Sequence, residues 1–152
     1  RQAVDGIILW QPFLHGRTCI DQFLRQALAG QDAHPDGGAP RTSAALRASL
    51  AAHGSIEVAG YAMARELARA IDAVDAAVLA VPPCPIHWFA CATPAPGRVA
   101  ARAHQLAGSW AGCGARLQYH AVDGAPFWST GHAAVCPALL AATAAVLGPE
   151  AA

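Results

Sequence analysis

VDGIILW, residues 4–10, is a short and almost continuous apolar run closed by Gln11-Pro12. Such runs suit strands covered on both faces, as in a parallel sheet with helices packed on either side. Two further stretches share the character: IHWFACA over 86–92, bracketed by prolines, and RLQYHAV over 116–122. Helical patterns separate the three. The order strand, helices, strand, helix, strand, helix predicts an α/β fold of parallel strands flanked by helices. Because the first strand begins within a few residues of Arg1, we expect its neighbouring strands to be encoded before it.

The helical patterns differ in clarity. Thr18 to Asp21 offers a threonine cap with an acid three residues on, and Ile20, Phe23, Leu24, Ala27 and Leu28 then share one face before Gly30. Gln31 to Pro40 (QDAHPDGGAP) reads as an exposed loop. Ser43 can cap a short helix carrying Leu46 and Leu50 and stopped by Gly54. In Ser55 to Met63 (SIEVAGYAM), Ile56 and Val58 alternate like a strand, and we expect an extended start followed by helix. From Ala64 to Val74, Leu67, Ile71 and Val74 fall opposite Arg65, Glu66, Arg69 and Asp72. Gly97 to Ala107 is an alanine-rich helix, and Pro137 opens a last one bearing Leu139, Leu140, Val146 and Leu147.

Composition excludes several classes. An apolar share of 55% against 13% charged residues describes a chain able to fold around a core, although alanine inflates the figure. All ten basic residues are arginine, balanced by ten acids and nowhere clustered, which argues against a nucleic-acid partner. Ala76 to Gly97 lacks formal charge, yet Pro82, Pro83, Pro85, Pro94 and Pro96 would break a membrane helix, so no membrane span is expected. Cys19, Cys84, Cys91, Cys113 and Cys136 are odd in number and follow no secretory signal, a pattern that suits reduced thiols in the cytoplasm.

At VDGIILWQP, SIEVAGYAMARELARAID, IHWFA and DGAPFWSTGHAAVCPALLAATAAVL the chain resembles the second type of α/β-hydrolase superfamily protein found with the bacterial exosortase A protein-sorting system. Its specificity lies in the combination of LWQP, EVAGY and PFW followed by PALLAAT. The resemblance implies the C-terminal portion of an α/β-hydrolase domain over 1–152, with 11–63 as a helical, cap-like insertion between strands. It also implies a setting of exopolysaccharide production, and a missing N-terminal half of the same domain as partner. The intact form would be a serine-type ester or thioester hydrolase or an acyl transferase, acting on a small acyl substrate without a cofactor. The alternative is a non-catalytic member of the fold kept for binding or scaffolding.

In that superfamily the nucleophile sits in a G-x-S-x-G turn, followed along the chain by an acid and a histidine. No G-x-S-x-G occurs here, so the fragment itself is expected to be inactive. The acid is expected after IHWFACA, but Thr93 to Gly97 (TPAPG) holds no carboxylate. After the last strand Gly124-Ala-Pro-Phe127 stands where many relatives have glycine-histidine, leaving His132 as the sole candidate base of that segment, or else a surface histidine.

Other residues invite weaker readings. His120 lies within a strand and reads as packed or hydrogen-bonded, and Asp123-Gly124 reads as a turn. Cys84, His87 and Cys91 have a metal-like spacing but no evident fourth ligand, and buried thiols are the simpler reading. His15 follows the first strand at the sheet edge where ligands bind in open α/β folds, though a loop histidine without function fits as well. Trp10, Phe13, Phe23, Trp88, Phe127 and Trp128 either line an acyl cavity or pack in the core.

Overall fold

A computed structural model describes residues 3–31, 42–58, 60–92, 96–124 and 135–148. The chain divides into two compact units, Arg1–Pro12 with Ala80–Ala152, and Phe13–Leu79.

The first unit is built on a three-stranded parallel sheet flanked by helices. It contains β1 (Ile7–Trp10), β4 (Pro85–Ala92), α4 (Pro96–Ala111), β5 (Arg116–Asp123) and α5 (Pro137–Leu147), with strand order β1-β4-β5. Ile8 pairs with His87 and Trp10 with Phe89, while Phe89 pairs with His120 and Cys91 with Val122. Alternation along a strand therefore puts Ile8, Trp10, His87, Phe89, Cys91, His120 and Val122 on one face. Against that face pack Cys136 and Leu139 of the α5 region, joined by Ala142 and Val146. On the opposite face lie Ile86, Trp88 and Ala90, all buried, and α4 buries Ala103, Leu106 and Trp110. Proline at the first turn of α5 costs the helix no hydrogen bond, because that N–H would be unpaired anyway.

The central strand β4 is buried along most of its length, as the apolar run predicted. β1 is not: it pairs only with β4 among the described residues, and Ile7, Ile8 and Leu9 are half-buried. On α5 Leu140 and Leu147 are exposed, and Thr143 takes an inward position. Its hydroxyl accepts the Trp10 indole N–H at 3.0 Å and donates to the Leu139 carbonyl at 2.8 Å, so a polar side chain is satisfied in an apolar layer.

The second unit contains α1 (Gly16–Gln31), α2 (Ser43–His53), β2 (Ser55–Val58), β3 (Tyr61–Ala64) and α3 (Arg65–Asp72), followed by a short 3-10 turn at Ala76–Val78. Ile20, Leu24 and Ala27 of α1, Leu46 and Leu50 of α2, Val58, Met63 and Ala68 form its core. α2 is capped one residue earlier than expected, by Thr42, whose hydroxyl accepts from Ala45 N at 3.1 Å. It ends at Gly54 in the left-handed conformation.

Two readings are corrected in this unit. Ser55 to Met63 is not an extended start running into helix but an antiparallel hairpin, Ile56 opposite Met63 and Val58 opposite Tyr61. Gly60, with a φ of 83°, supplies the reversal. On α3 the inward positions are Ala68 and Ile71 while Leu67 is exposed, and Val74, also exposed, lies beyond the helix, which ends at Asp72. Arg47 of α2 then ties helices together: its Nε donates to Asp21 at 2.8 Å, and its two terminal nitrogens donate to Asp72 at 2.7 and 3.1 Å.

Candidate functional site

Parallel strands end together, and their carboxyl ends in β1, β4 and β5 form one edge of the sheet, where open α/β folds bind ligands. The residues gathered there are Gln11, Cys91, Asp123, Gly124 and Cys136. Gln11 leaves β1 with a φ of 45°, a left-handed conformation unusual for a side chain with a Cβ. It is held by two bonds to β4: its backbone N donates to Phe89 O at 2.9 Å and its Nε2 donates to Cys91 O at 3.0 Å. Two bonds thus hold Gln11 in an uncommon backbone conformation at the carboxyl end of β1.

Beside it, the Cys91 thiol lies 3.9 Å from that of Cys136, and the Cys136 thiol also points at the Asp123 carbonyl, 3.8 Å away. Both cysteines are buried. Burial pushes the Cys91 thiol above its ordinary range, and the Cys136 sulfur adds to the rise, while a hydrogen bond from the Gln11 amide acts in the opposite sense. Gly124 leaves room for this arrangement. A Cβ there would stand 2.6 Å from the Cys136 sulfur, and its φ of 151° is one that side chains rarely adopt.

A second polar cluster sits further back on the same face. His87 Nδ1 and His120 Nε2 are 3.1 Å apart, so one ring donates and the other accepts. His120 also stacks on Phe89, with ring centroids 4.5 Å apart. Burial holds the His120 imidazole below its usual value, reinforced by the neighbouring His87. His120 is thus a hydrogen-bonded strand residue, as its place in the sequence suggested.

The remaining candidates separate. His87 and Cys91 are four residues apart on one strand, about 13 Å, and each faces a different partner, so the C-x2-H-x3-C spacing forms no metal set. Among the described residues no group of three or more His, Cys, Asp or Glu side chains is gathered to hold an ion. His15 pairs with Asp75, Nδ1 to Oδ1 at 3.6 Å, both well exposed in the second unit. Asp123 ends β5 with its side chain outward, next to the positive-φ Gly124, consistent with a turn. Trp10 and Trp88 occupy opposite faces of the sheet, so they do not line one cavity, and Phe23 packs in the core of the second unit. His132, Phe127, Trp128 and the Thr93-Pro94-Ala95 stretch lie outside the described residues.

Sequence reading did not find the Gln11, Cys91 and Cys136 cluster. Its only trace was position: Gln11 and Cys91 stand at the ends of predicted strands and Cys136 immediately before a predicted helix. Comparison of the chain with protein-family models, with curated proteins and with solved structures finds no match. No described helix is long and apolar enough to cross a membrane.

Proposed function

We propose that this chain forms the later part of an α/β-hydrolase-type site that hydrolyses, or transfers the acyl group of, a small ester or thioester. The observation that carries it is the sheet: β1, β4 and β5 are parallel, adjacent and in chain order, so the segments following β4 and β5 leave from one edge. Hydrolases of this superfamily draw their acid and then their histidine from successive segments after the nucleophile. His132 lies in the segment between β5 and α5 and takes the role of general base. The nucleophile belongs to residues outside these 152, in a preceding half of the same domain. The resemblance at LWQP, EVAGY and PFW with PALLAAT supports the same reading and its setting beside bacterial exopolysaccharide and protein-sorting functions. Five unpaired thiols fit residence in the reducing cytoplasm.

A non-catalytic binding protein of the same fold is the second reading, favoured by the lack of any carboxylate in Thr93 to Gly97 and by Phe127 near the expected histidine position. A fluorophosphonate probe, which labels an activated serine, separates the two. Expressed together with the coding sequence before Arg1, the protein should be labelled, and His132→Ala should slow labelling by at least about 100-fold. The 152-residue chain alone should turn over no p-nitrophenyl ester. Labelling that is indifferent to His132→Ala would remove that residue from the mechanism, and no labelling at all would favour the binding protein.

A further inference from the structure

We propose that Cys91 and Cys136 form a redox-active dithiol that reacts with a hydroperoxide and closes to a disulfide joining the end of β4 to the start of α5. Three observations lead to this pair rather than to any other cysteine. The two sulfurs are in contact at 3.9 Å although the residues are 45 apart in sequence. Closing to a bond of about 2.05 Å divides a movement of about 1.9 Å between two side chains that turn about χ1. Gly124 supplies the space beside Cys136 that any larger residue would fill.

The surroundings select a disulfide over a bound metal ion. Phe89, Val122 and Leu139 form an apolar cluster around both sulfurs, which accepts a neutral disulfide more readily than two thiolates around a cation. No third ligand is gathered beside them among the described residues. Both thiols are equally buried; Cys91 is on the central strand and Cys136 stands at the N-cap of α5 beside the exposed Val135, so Cys136 is assigned as the attacking thiol.

The reaction balances with one equivalent of hydroperoxide. The Cys136 thiolate attacks the terminal peroxide oxygen, the O–O bond breaks, and the alkoxide leaves with the proton of the thiol, giving an alcohol and a sulfenic acid. The Cys91 sulfur then attacks the Cys136 sulfur, the S–O bond breaks, and water leaves. Two thiols lose two electrons and two protons in all. Forming the disulfide turns the Cys136 sulfur away from the Asp123 carbonyl and clamps the residue that ends the β5–α5 connection. The inference does not rest on the hydrolase reading, since the pair lies wholly within the described sheet unit.

Treating the protein with a slight excess of hydrogen peroxide, then mapping peptides without reduction, tests it directly. The expected product has two fewer free thiols, a mass lower by about 2 Da, and one cross-linked peptide pair containing Cys91 and Cys136. Its Tm should rise on the order of 10 °C, because the bridge closes a long loop in the unfolded chain, and dithiothreitol should reverse the rise. Cys19→Ser and Cys113→Ser should leave the cross-link unchanged, and Cys136→Ala should abolish it. Cross-links through Cys19, Cys84 or Cys113 instead, or Cys136 recovered as sulfinic acid beside a free Cys91, would overturn the proposal.

Discussion

The two units solve the problem of buried polar groups in opposite ways. In Phe13–Leu79 the inner polar group is a guanidinium: Arg47, partly buried, forks onto Asp21 and Asp72. The Asp72 carboxylate, chiefly, pushes the guanidinium further above its already high range. In the sheet unit the polar groups on the face that α5 packs against are two imidazoles sharing a hydrogen bond and two thiols in contact. A charged fork staples helices together, whereas imidazoles and thiols are groups that a proton or an oxidant can alter. The contrast sets a braced helical unit beside the sheet unit for which chemistry is proposed.

Substitutions test that contrast. The largest effect is expected at Phe89, which is fully buried in β4 and is the platform on which His120 stacks. Phe89→Ala should destabilise the sheet unit by about 3–5 kcal/mol in urea unfolding, with hydrogen exchange in 13–79 changed far less. Arg47→Met should cost the helical unit about 1–2 kcal/mol by leaving Asp21 and Asp72 facing each other unbridged, and added salt should shrink the difference. A loss above about 3 kcal/mol would mean that the staple is more deeply buried than its exposure of roughly a quarter indicates.

Acid gives a smaller and unit-specific effect. His120 binds its proton less readily when folded than when unfolded, so its contribution is complete above about pH 6.5 and is lost as pH falls through the lower folded value. Exchange protection of β4 and β5 should therefore decline below about pH 6.5, and His120→Gln should flatten that dependence. The Arg47 staple holds its charge throughout this window, so a parallel decline there through loss of that charge is not expected. The smallest effect is expected at Trp88, whose indole N–H is buried without a hydrogen-bond partner among the described residues. Trp88→Phe removes that penalty while losing some packing, and the measured stability change should stay within about 1 kcal/mol.

Local signals made much of the fold legible. The proline-bracketed β4, the Gly54 stop of α2 and the Pro137 start of α5 each follow from one residue's backbone preference. What stayed hidden depends on contacts distant in sequence. α1 begins at Gly16 rather than at a cap on Thr18. The reason is that the Ile71 carbonyl packs where a Cβ would stand, and Gly16 N donates to Val74 O at 2.8 Å. The β2–β3 hairpin was missed because its alternation spans only four residues on each side of Gly60, short enough to be taken for the start of a helix. The Cys91 and Cys136 contact follows from the packing of α5 on one sheet face, which no spacing along the chain reveals.

Ligand chemistry is proposed for the carboxyl ends of β1, β4 and β5. Hydrogen exchange of the protein with and without a medium-chain acyl trifluoromethyl ketone, a mimic of an ester undergoing attack, measures this. New protection is expected at residues 10–12, 90–92 and 122–124. Protection confined to the opposite strand ends, around 7–8, 85–87 and 116–118, or to 13–79, would contradict it.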